Sequence, residues 1–352
     1  MKKAKDIEKN PGTAKKKSRL WIWILLGILL FLLLLLFSFW LFIDGKLNKI
    51  QYDGEQISLN APADAYPPEL PSLEDHSGES ADEQSSGKPD VHTPLEIHHE
   101  DHVFNILLLG TDDRTSYFSK NARADSIMIL SLDMQKHTIK LVSIERGIGV
   151  PIPGRSNDLI NHTFRYGGAK LTLETVRNCF RVDVKDYIRV NHHAFEKGID
   201  VIGGVDITLT GQEAKALNKF QEKKLFHTGP NHFNGYQALE YSRLRSIDSD
   251  WHRIERQRTV IQAAVNRIKS LSLTPLNALA DQILPLVQTS LMKNEVFNLL
   301  LEAPGFITNG AHIQQMTVPT WETCWNSQVD GRPMIGVDFD ANARILRKFF
   351  YD

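Results

Sequence analysis

VFNILLLGTDDR, residues 103–114, sets the fold of the larger part of this chain. It is a short apolar run closed by Gly110, and such a run suits a buried strand. Two carboxylates and an arginine follow at once, Asp112, Asp113 and Arg114. Hard oxygens and a guanidinium therefore gather where the chain leaves the strand.

Working outward, SIMILSLDMQKHTIKLVSIE (126–145) reads as two strands joined by a polar turn at Met134–His137. A helix is expected after Gly167–Gly168, a strand at DYIRVN (186–191) and a helix at HHAFEKGIDVIG. DITLT (206–210) predicts another strand, and GQEAKALNKFQEKKL a polar helix. Helical patterns dominate from Gly235 to about Leu301, HIQQMTVPT returns to the sheet, and ANARILRKFFYD closes as an amphipathic helix. Strands alternating with helices imply an α/β fold, a central mixed β-sheet sandwiched by helices, over residues 103–352.

The chain has 352 residues, 42% of them hydrophobic, enough for one large domain and smaller segments. Its formal net charge of −1 gives no basic field for nucleic acid. Charge is unevenly spread, however. Residues 1–19 form a basic tail with Lys2, Lys3, Lys5, Lys9, Lys15, Lys16, Lys17 and Arg19. Residues 20–43, LWIWILLGILLFLLLLLFSFWLFI, carry no charge. As a helix they would extend roughly 36 Å, enough for a bilayer. Trp21, Trp23 and Trp40 near the ends suit the two interfaces. The run is too long for a cleaved signal peptide, and no small-residue cleavage pattern follows it. The expectation is a single-pass transmembrane anchor in the cell membrane, with the N-terminus cytoplasmic and the remainder extracytoplasmic.

Residues 44–102 are rich in Pro, Ser, Glu and Asp and poor in aliphatics, so they read as an extracytoplasmic disordered stalk. His92, His98, His99 and His102 near its end suit a polar linker, with metal binding the other reading. Cys179 and Cys324 both fall on the outer side, where an oxidising environment permits a disulfide, but their spacing does not decide whether one forms.

YSRLRSIDSDWHRIERQ (241–257) holds four arginines and no lysine. A planar guanidinium grips carboxylate or phosphate with two parallel hydrogen bonds, which an ammonium cannot do. A solvated helix face with internal ion pairs is the plainer reading. A helix starts near Arg253 and runs to about Ser270. Ile254, Ile261, Val265 and Ile268 mark its core face, and Arg253 and Gln257 begin the stripe that continues as Val260 and Ala264. The apolar side thus becomes polar in the first turn alone, as it does when a helix N-terminus opens into a pocket, where its dipole favours an anion. Asp250 just before it is also a natural N-cap. Arg243 and Arg245 would point apart in a continuing helix, so they converge only if the helix ends between them.

RADS (123–126) adds Arg123 and Asp125 before the next strand. Carboxylates at strand ends beside arginines suit a divalent cation shared with a phosphate. A loop of solvated salt bridges is the alternative, with Asp112 or Asp113 shaping a turn.

NILLLGTDDR, RADSIMILSLD, LVSIERGIGVPIPG, NHTFRYGG, VIGGVDI, FNGYQALEYSRLRS and DWHRIERQ occur in that order. Together, across roughly residues 103–265 and behind a basic tail and apolar helix, they resemble the LytR-CpsA-Psr family. The resemblance implies an α/β fold with a greasy channel for a polyprenyl chain. It also implies a membrane-anchored, Mg²⁺-assisted transfer of a glycopolymer from a polyprenyl-pyrophosphate carrier to peptidoglycan, leaving a phosphodiester link, in cell wall biogenesis. Teichoic acid and capsule polymers share that carrier chemistry. By the same resemblance Asp112 and Asp125 are metal-binding carboxylates. Arg123, Arg146, Arg243, Arg245, Arg253 and Gln257 hold the pyrophosphate, with Arg114 and Arg256 in matching motifs. Asp250 matches the acidic residue before the helix, and Asn161 and His162 a structural pair. The expected catalytic set is Asp112, Asp125, Arg146 and Asp250, with Asp250 or a metal-bound carboxylate taking the acceptor's proton.

One departure stands out. The family pattern Ser-Ile-Pro-Arg-Asp reads Ser143-Ile144-Glu145-Arg146-Gly147 here. A carboxylate near the pocket is lost at Gly147. Neighbouring strand residues face opposite sides, so Glu145 compensates only if the backbone shifts. Two other functions therefore stay open: a polyprenyl-pyrophosphate hydrolase, and a membrane-tethered lipid-pyrophosphate binding or regulatory, transcriptional attenuator-like protein without turnover.

Overall fold

The computed structural model describes residues 20–53, 95–113, 118–119, 121–221, 224–308 and 312–352, without the side chains of residues 20–32, 36, 273 and 307. The chain divides into two units, residues 1–46 and residues 47–352. The first unit contains nearly all of α1 (Leu20–Leu47). Among the described residues no helix is long and apolar enough to cross a membrane. Most of the central stalk, residues 54–94 with His92, and the basic tail, residues 1–19, lie outside the described residues.

In chain order the second unit runs β1 (Gln51–Tyr52), β2 (Val103–Thr111), β3 (Ala124–Asp133), β4 (Thr138–Ile144), β5 (Gly149–Val150), β6 (Asp158–Leu159) and α2 (His162–Phe180). It continues with β7 (Val184–Asn191), α3 (His192–Val201), β8 (Val205–Leu209), α4 (Gly211–Gln221), β9 (Gly229–Phe233), α5 (Gly235–Arg243), α6 (Asp250–Lys269) and α7 (Leu273–Ile283). It ends with β10 (Val287–Thr289), α8 (Lys293–Thr308), β11 (Ile313–Val318), β12 (Cys324–Val329), β13 (Arg332–Val337) and α9 (Phe339–Tyr351).

The main sheet has seven strands in the order β1-β10-β7-β2-β3-β4-β11. β2 runs antiparallel to β3 and parallel to β7, and β4 runs parallel to β11, so the sheet is mixed as the element order implied. Both faces are covered. On one, Leu107, Leu109, Ile127, Ile129, Val142 and Ile144 pack with Phe164, Leu173 and Phe180 of α2 and Leu346 and Phe350 of α9. On the other, Leu108, Met128, Leu130, Ile139 and Leu141 meet Ile261 and Val265 of α6. That double burial is why β2 reads as a nearly continuous apolar run instead of alternating.

Several details differ from the sequence reading. The domain includes residues from both ends of the expected stalk. Leu47 and Ile50 are buried, β1 pairs with β10, and the Tyr187 hydroxyl donates to Asp53. At the other end His98 bridges to Val182, and its carbonyl accepts from the Tyr351 hydroxyl at 3.0 Å. Partners distant in sequence hold these polar segments, and their composition does not reveal them. β10 interrupts the stretch read as helical, because three residues give no periodicity to detect. β8 pairs only with β9, away from the main sheet, and builds a second core with α3, α4, α5 and α6. The helix expected after Gly167–Gly168 starts at His162 and breaks at those glycines. Gly168 has φ +67°, a left-handed conformation open to glycine at little cost.

Candidate active site

The sheet face under α5 and α6 is not completely filled. A cavity of about 280 Å³ remains there. Leu108, Met128, Ile188 and Val190 of the sheet form its floor, and Phe195, Leu239 and Ile261 of α3, α5 and α6 its walls. Asp125, Arg146, Arg243, Arg245, Arg253 and Gln257 line the same cavity, so one space joins aliphatic surface to a ring of guanidiniums.

Local structure explains how these side chains arrive. The β2–β3 register pairs Gly110 with Ser126 and Thr111 with Ala124, which leaves Asp125 as the extra residue of a β-bulge. A bulge turns a side chain away from regular alternation, a common device beside active sites. The strands come very close here: a Cβ on Gly110 would lie 2.9 Å from the Ser126 Cβ, which explains the glycine. α5 ends at Arg243 and Leu244 is extended, so Arg243 and Arg245 both reach the cavity although they are two residues apart. α6 begins at Asp250, about one turn before Arg253 and two before Gln257, and its N-terminus opens into the cavity.

Asp250 is the hub. Arg253 Nε and Nη2 donate to its two oxygens at 2.8 Å each. Arg146 Nε donates at 3.0 Å, and Arg245 Nε lies 3.0 Å away. Burial opposes ionisation of Asp250, but the Arg253 hydrogen bonds and the arginine charges outweigh it and hold its carboxyl well below the usual carboxylate range. Arg146 also donates from Nη1 to Asp125 Oδ1 at 2.7 Å, and Arg253 from Nη1 to the Asp125 carbonyl at 2.9 Å. Burial works against the Arg146 charge as well, yet Asp250 and Asp125 keep it more firmly protonated than a free guanidinium. The bulged strand, the end of β4 and the start of α6 are thus tied by one charged network.

Other candidates lie elsewhere. Asp112 accepts from the Arg123 amide at 2.8 Å and from Arg123 Nε at 3.3 Å, just past the end of central β2 and beside the bulge, and neither residue lines the cavity. Arg114 lies outside the described residues. Arg256 is buried and faces away: it donates to Glu213 Oε1 and the Leu244 carbonyl at 2.8 Å each and pairs with Asp248, locking α4 and the preceding loop to α6. His162 Nδ1 lies 3.1 Å from Asp158 Oδ1, in a cluster with Tyr166 and Arg332. Asp113 does more than shape a turn. It pairs with buried Arg189, whose guanidinium lies between the rings of Phe118 and Phe164 at 4.4 and 4.6 Å. No sequence signal marked it: between Ile188 and Val190 on β7, Arg189 reads as the polar, outward residue of an alternating strand, and it is buried because both faces of the sheet are covered. The two cysteines are not joined; Cys179 is buried and Cys324 partly exposed.

Sequence reasoning also misplaced Glu145. Alternation put its carboxyl opposite Arg146, but β4 ends at Ile144 and the rule ends with it. The Glu145 amide bonds the Val318 carbonyl at 2.9 Å, and the side chain, on a residue only 1% exposed, reaches Asp250. No backbone shift of the strand is required.

Comparison with known proteins agrees with this geometry. The LytR_cpsA_psr family pattern matches residues 72–349. A protein of Oceanobacillus iheyensis named polyisoprenyl-teichoic acid–peptidoglycan teichoic acid transferase TagU is 34% identical over 243 residues, 66% of this chain and 72% of the relative. Among solved structures, TagT bound to LIIa-WTA is 25% identical with a TM-score of 0.58, covering 71% of this chain and 90% of that one. The LytR-CPS2A-psr family protein YwtF (TagT) with bound octaprenyl pyrophosphate lipid is 23% identical with a TM-score of 0.53, covering 71% and 89%, and shares the fold.

Proposed function

The chain belongs to the LytR_cpsA_psr family, and we propose that it is a transferase that moves a glycopolymer from a polyprenyl-pyrophosphate carrier to peptidoglycan, with a phosphodiester as the product link. The observation that carries this reading is the cavity itself, apolar on one side and ringed by Arg146, Arg243, Arg245 and Arg253 on the other. That is the shape of a lipid chain ending in two phosphates. The relative named a teichoic acid transferase and the neighbour holding octaprenyl pyrophosphate support it.

Phosphoanhydride cleavage needs positioning and charge neutralisation more than a covalent nucleophile. Several forked guanidiniums supply both. The N-terminus of α6 adds unpaired amides and a positive dipole end. An acceptor hydroxyl attacks the phosphorus that carries the glycan. The new O–P bond forms, the bond to polyprenyl phosphate breaks, and the leaving phosphate keeps the electron pair while the hydroxyl gives up its proton.

Asp112 and Asp125 are the residues that would hold a Mg²⁺. They sit at adjacent ends of β2 and β3, and two carboxylates beside a phosphate site fit a cation that uses few protein ligands and completes its shell with phosphate and water. Bound there, Mg²⁺ would neutralise charge on the pyrophosphate oxygens.

The uncharged run over residues 20–43, with lysines before it, supports a single-pass anchor with an extracytoplasmic C-terminal domain. A reader of lipid-linked substrates and of peptidoglycan belongs on that side of the membrane.

The test uses the full chain in detergent with a polyprenyl-pyrophosphate oligosaccharide, peptidoglycan fragments and Mg²⁺, and products followed by mass spectrometry. A phosphodiester-linked adduct is the expected result. Polyprenyl phosphate released without adduct would instead make the protein a hydrolase, and binding without turnover a tethered binding protein.

A further inference from the structure

Glu145 is an acidic group beside the site that the transfer scheme leaves unused. Its Oε1 accepts from the Gly147 amide at 3.1 Å. Its Oε2 is buried and receives no hydrogen bond. The groups facing it from α6 are the Asp250 carboxyl and, beyond that, Arg253. A Cβ on Gly147 would already touch Glu145 Oε1 at 3.4 Å, so the bare glycine leaves the carboxyl its place.

Two carboxyl groups in contact share a hydrogen bond only when one of them carries a proton. Asp250 has three guanidiniums and stays ionised. Glu145 has one backbone amide and no arginine hydrogen-bonded to it among the described residues, so of the two carboxyls Glu145 is the one suited to carry a shared proton.

We propose that Glu145 is a positioning residue that makes Asp250 part of a proton-sharing pair, and that the pair, when both carboxyls are ionised, takes the proton of the attacking hydroxyl. The inference rests on the transferase reading. The acceptor's O–H bond breaks and its proton passes to the pair through Asp250. The oxygen's electron pair forms the new bond to phosphorus, the P–O bond to polyprenyl phosphate breaks, and the proton later leaves the pair for solvent. Asp250 alone, held by three arginines, is too weak a base for this step. Burial, and then the Asp250 charge, raise the Glu145 carboxyl to about 7, where both forms are populated at neutral pH.

Two measurements on the full chain in detergent test the proposal. Infrared difference spectra between wild type and Glu145→Gln are recorded as pH rises, and kcat/KM is measured over the same range for wild type, Glu145→Gln and Glu145→Asp. A carboxylic acid C=O band of Glu145 is expected below neutral pH and is lost as pH rises through about 7. The wild-type rate should rise over the same interval. Glu145→Gln should lose that limb and fall on the order of 100-fold in kcat with KM for the lipid little changed, and Glu145→Asp should recover part of the limb. A missing acid band, or a Glu145→Gln profile that keeps the wild-type limb, overturns the proposal. Wild type without turnover overturns the transferase reading and the proton transfer with it, whereas the band alone still decides where the pair holds its proton.

Discussion

Arg253 grips Asp250 from one turn along the same helix, with Nε on Oδ1 and Nη2 on Oδ2 at 2.8 Å each. The fork fits the carboxylate as it would fit a phosphate, so Asp250 is the anion around which the arginines assemble before a substrate arrives. Asp250→Asn should leave Arg146, Arg245 and Arg253 repelling one another, at a loss of roughly 3 kcal/mol of stability. Inorganic pyrophosphate should restore more of the melting temperature in this variant than in wild type. Equal shifts in thermal scans of the two would count against the hub.

Glu145 and Asp250 give opposite pH dependences. The Asp250 carboxyl is depressed, so its contribution is present above its unfolded pKa and lost as pH falls. The Glu145 carboxyl is raised to about 7, so the folded state holds a proton that the unfolded chain has released. Stability should therefore fall as pH rises from about 4.3, the ordinary glutamate value, towards 7, and level off above. Denaturant melts of Glu145→Gln should lack this decline, and a wild-type curve parallel to the variant's would refute the assignment.

Asp125 sits on the bulge and already gives Oδ1 to Arg146. Asp125→Asn keeps the shape and removes the charge. The expected outcome is a Mg²⁺ requirement at least about tenfold higher in the transfer assay, with lipid-pyrophosphate affinity changed less. An unaltered Mg²⁺ titration would remove Asp125 from the metal role.

Arg243 and Arg256 lie in one arginine-rich stretch and should behave differently. Arg243 lines the cavity and is partly exposed, with one bond to Glu240 at 3.1 Å. Arg256 is buried on Glu213 and Asp248. Arg243→Ala should weaken lipid-pyrophosphate binding about tenfold or more and leave the melting temperature nearly unchanged. Arg256→Ala should cost roughly 3 kcal/mol of stability, because it leaves the buried Glu213 carboxylate without its cation. Calorimetry and thermal melts on both variants decide it.

Cys179 is fully buried and burial pushes its thiol well up; Cys324 is raised less. A thiol reagent should modify Cys324 slowly in the native protein and Cys179 only on unfolding, because the thiolate is the reactive form. Two fast-reacting thiols, or none even after denaturation without reductant, would contradict the free, unequal pair.

Much of the site was visible in the chain. Types and spacing marked Arg243, Arg245, Arg253 and Gln257, since a helix whose apolar stripe turns polar only in its first turn must open onto something. The buried strand at 103–111 followed from local hydrophobicity, and α5 ends before the SIDSD loop as expected, whereas α6 starts at Asp250, three residues before Arg253, with Ser249 and not Asp250 at the N-cap position. What failed were features that depend on distant partners. β10 and β1 are too short to carry a pattern; β10 forms along β7, and β1 along β10.

The sequence by itself determined the buried strands, the arginine-rich helix start and the uncharged run at 20–43, because each depends on neighbours along the chain. Only the tertiary structure decided which charges meet. Arg146 and Asp250 stand 104 positions apart yet share a hydrogen bond, and Arg253 and Arg256, three apart on one helix, serve different neighbours. The same holds for Glu145, whose carboxyl reaches Asp250 because β4 stops one residue earlier. Charge pairing acts through space and burial, and a sequence records neither.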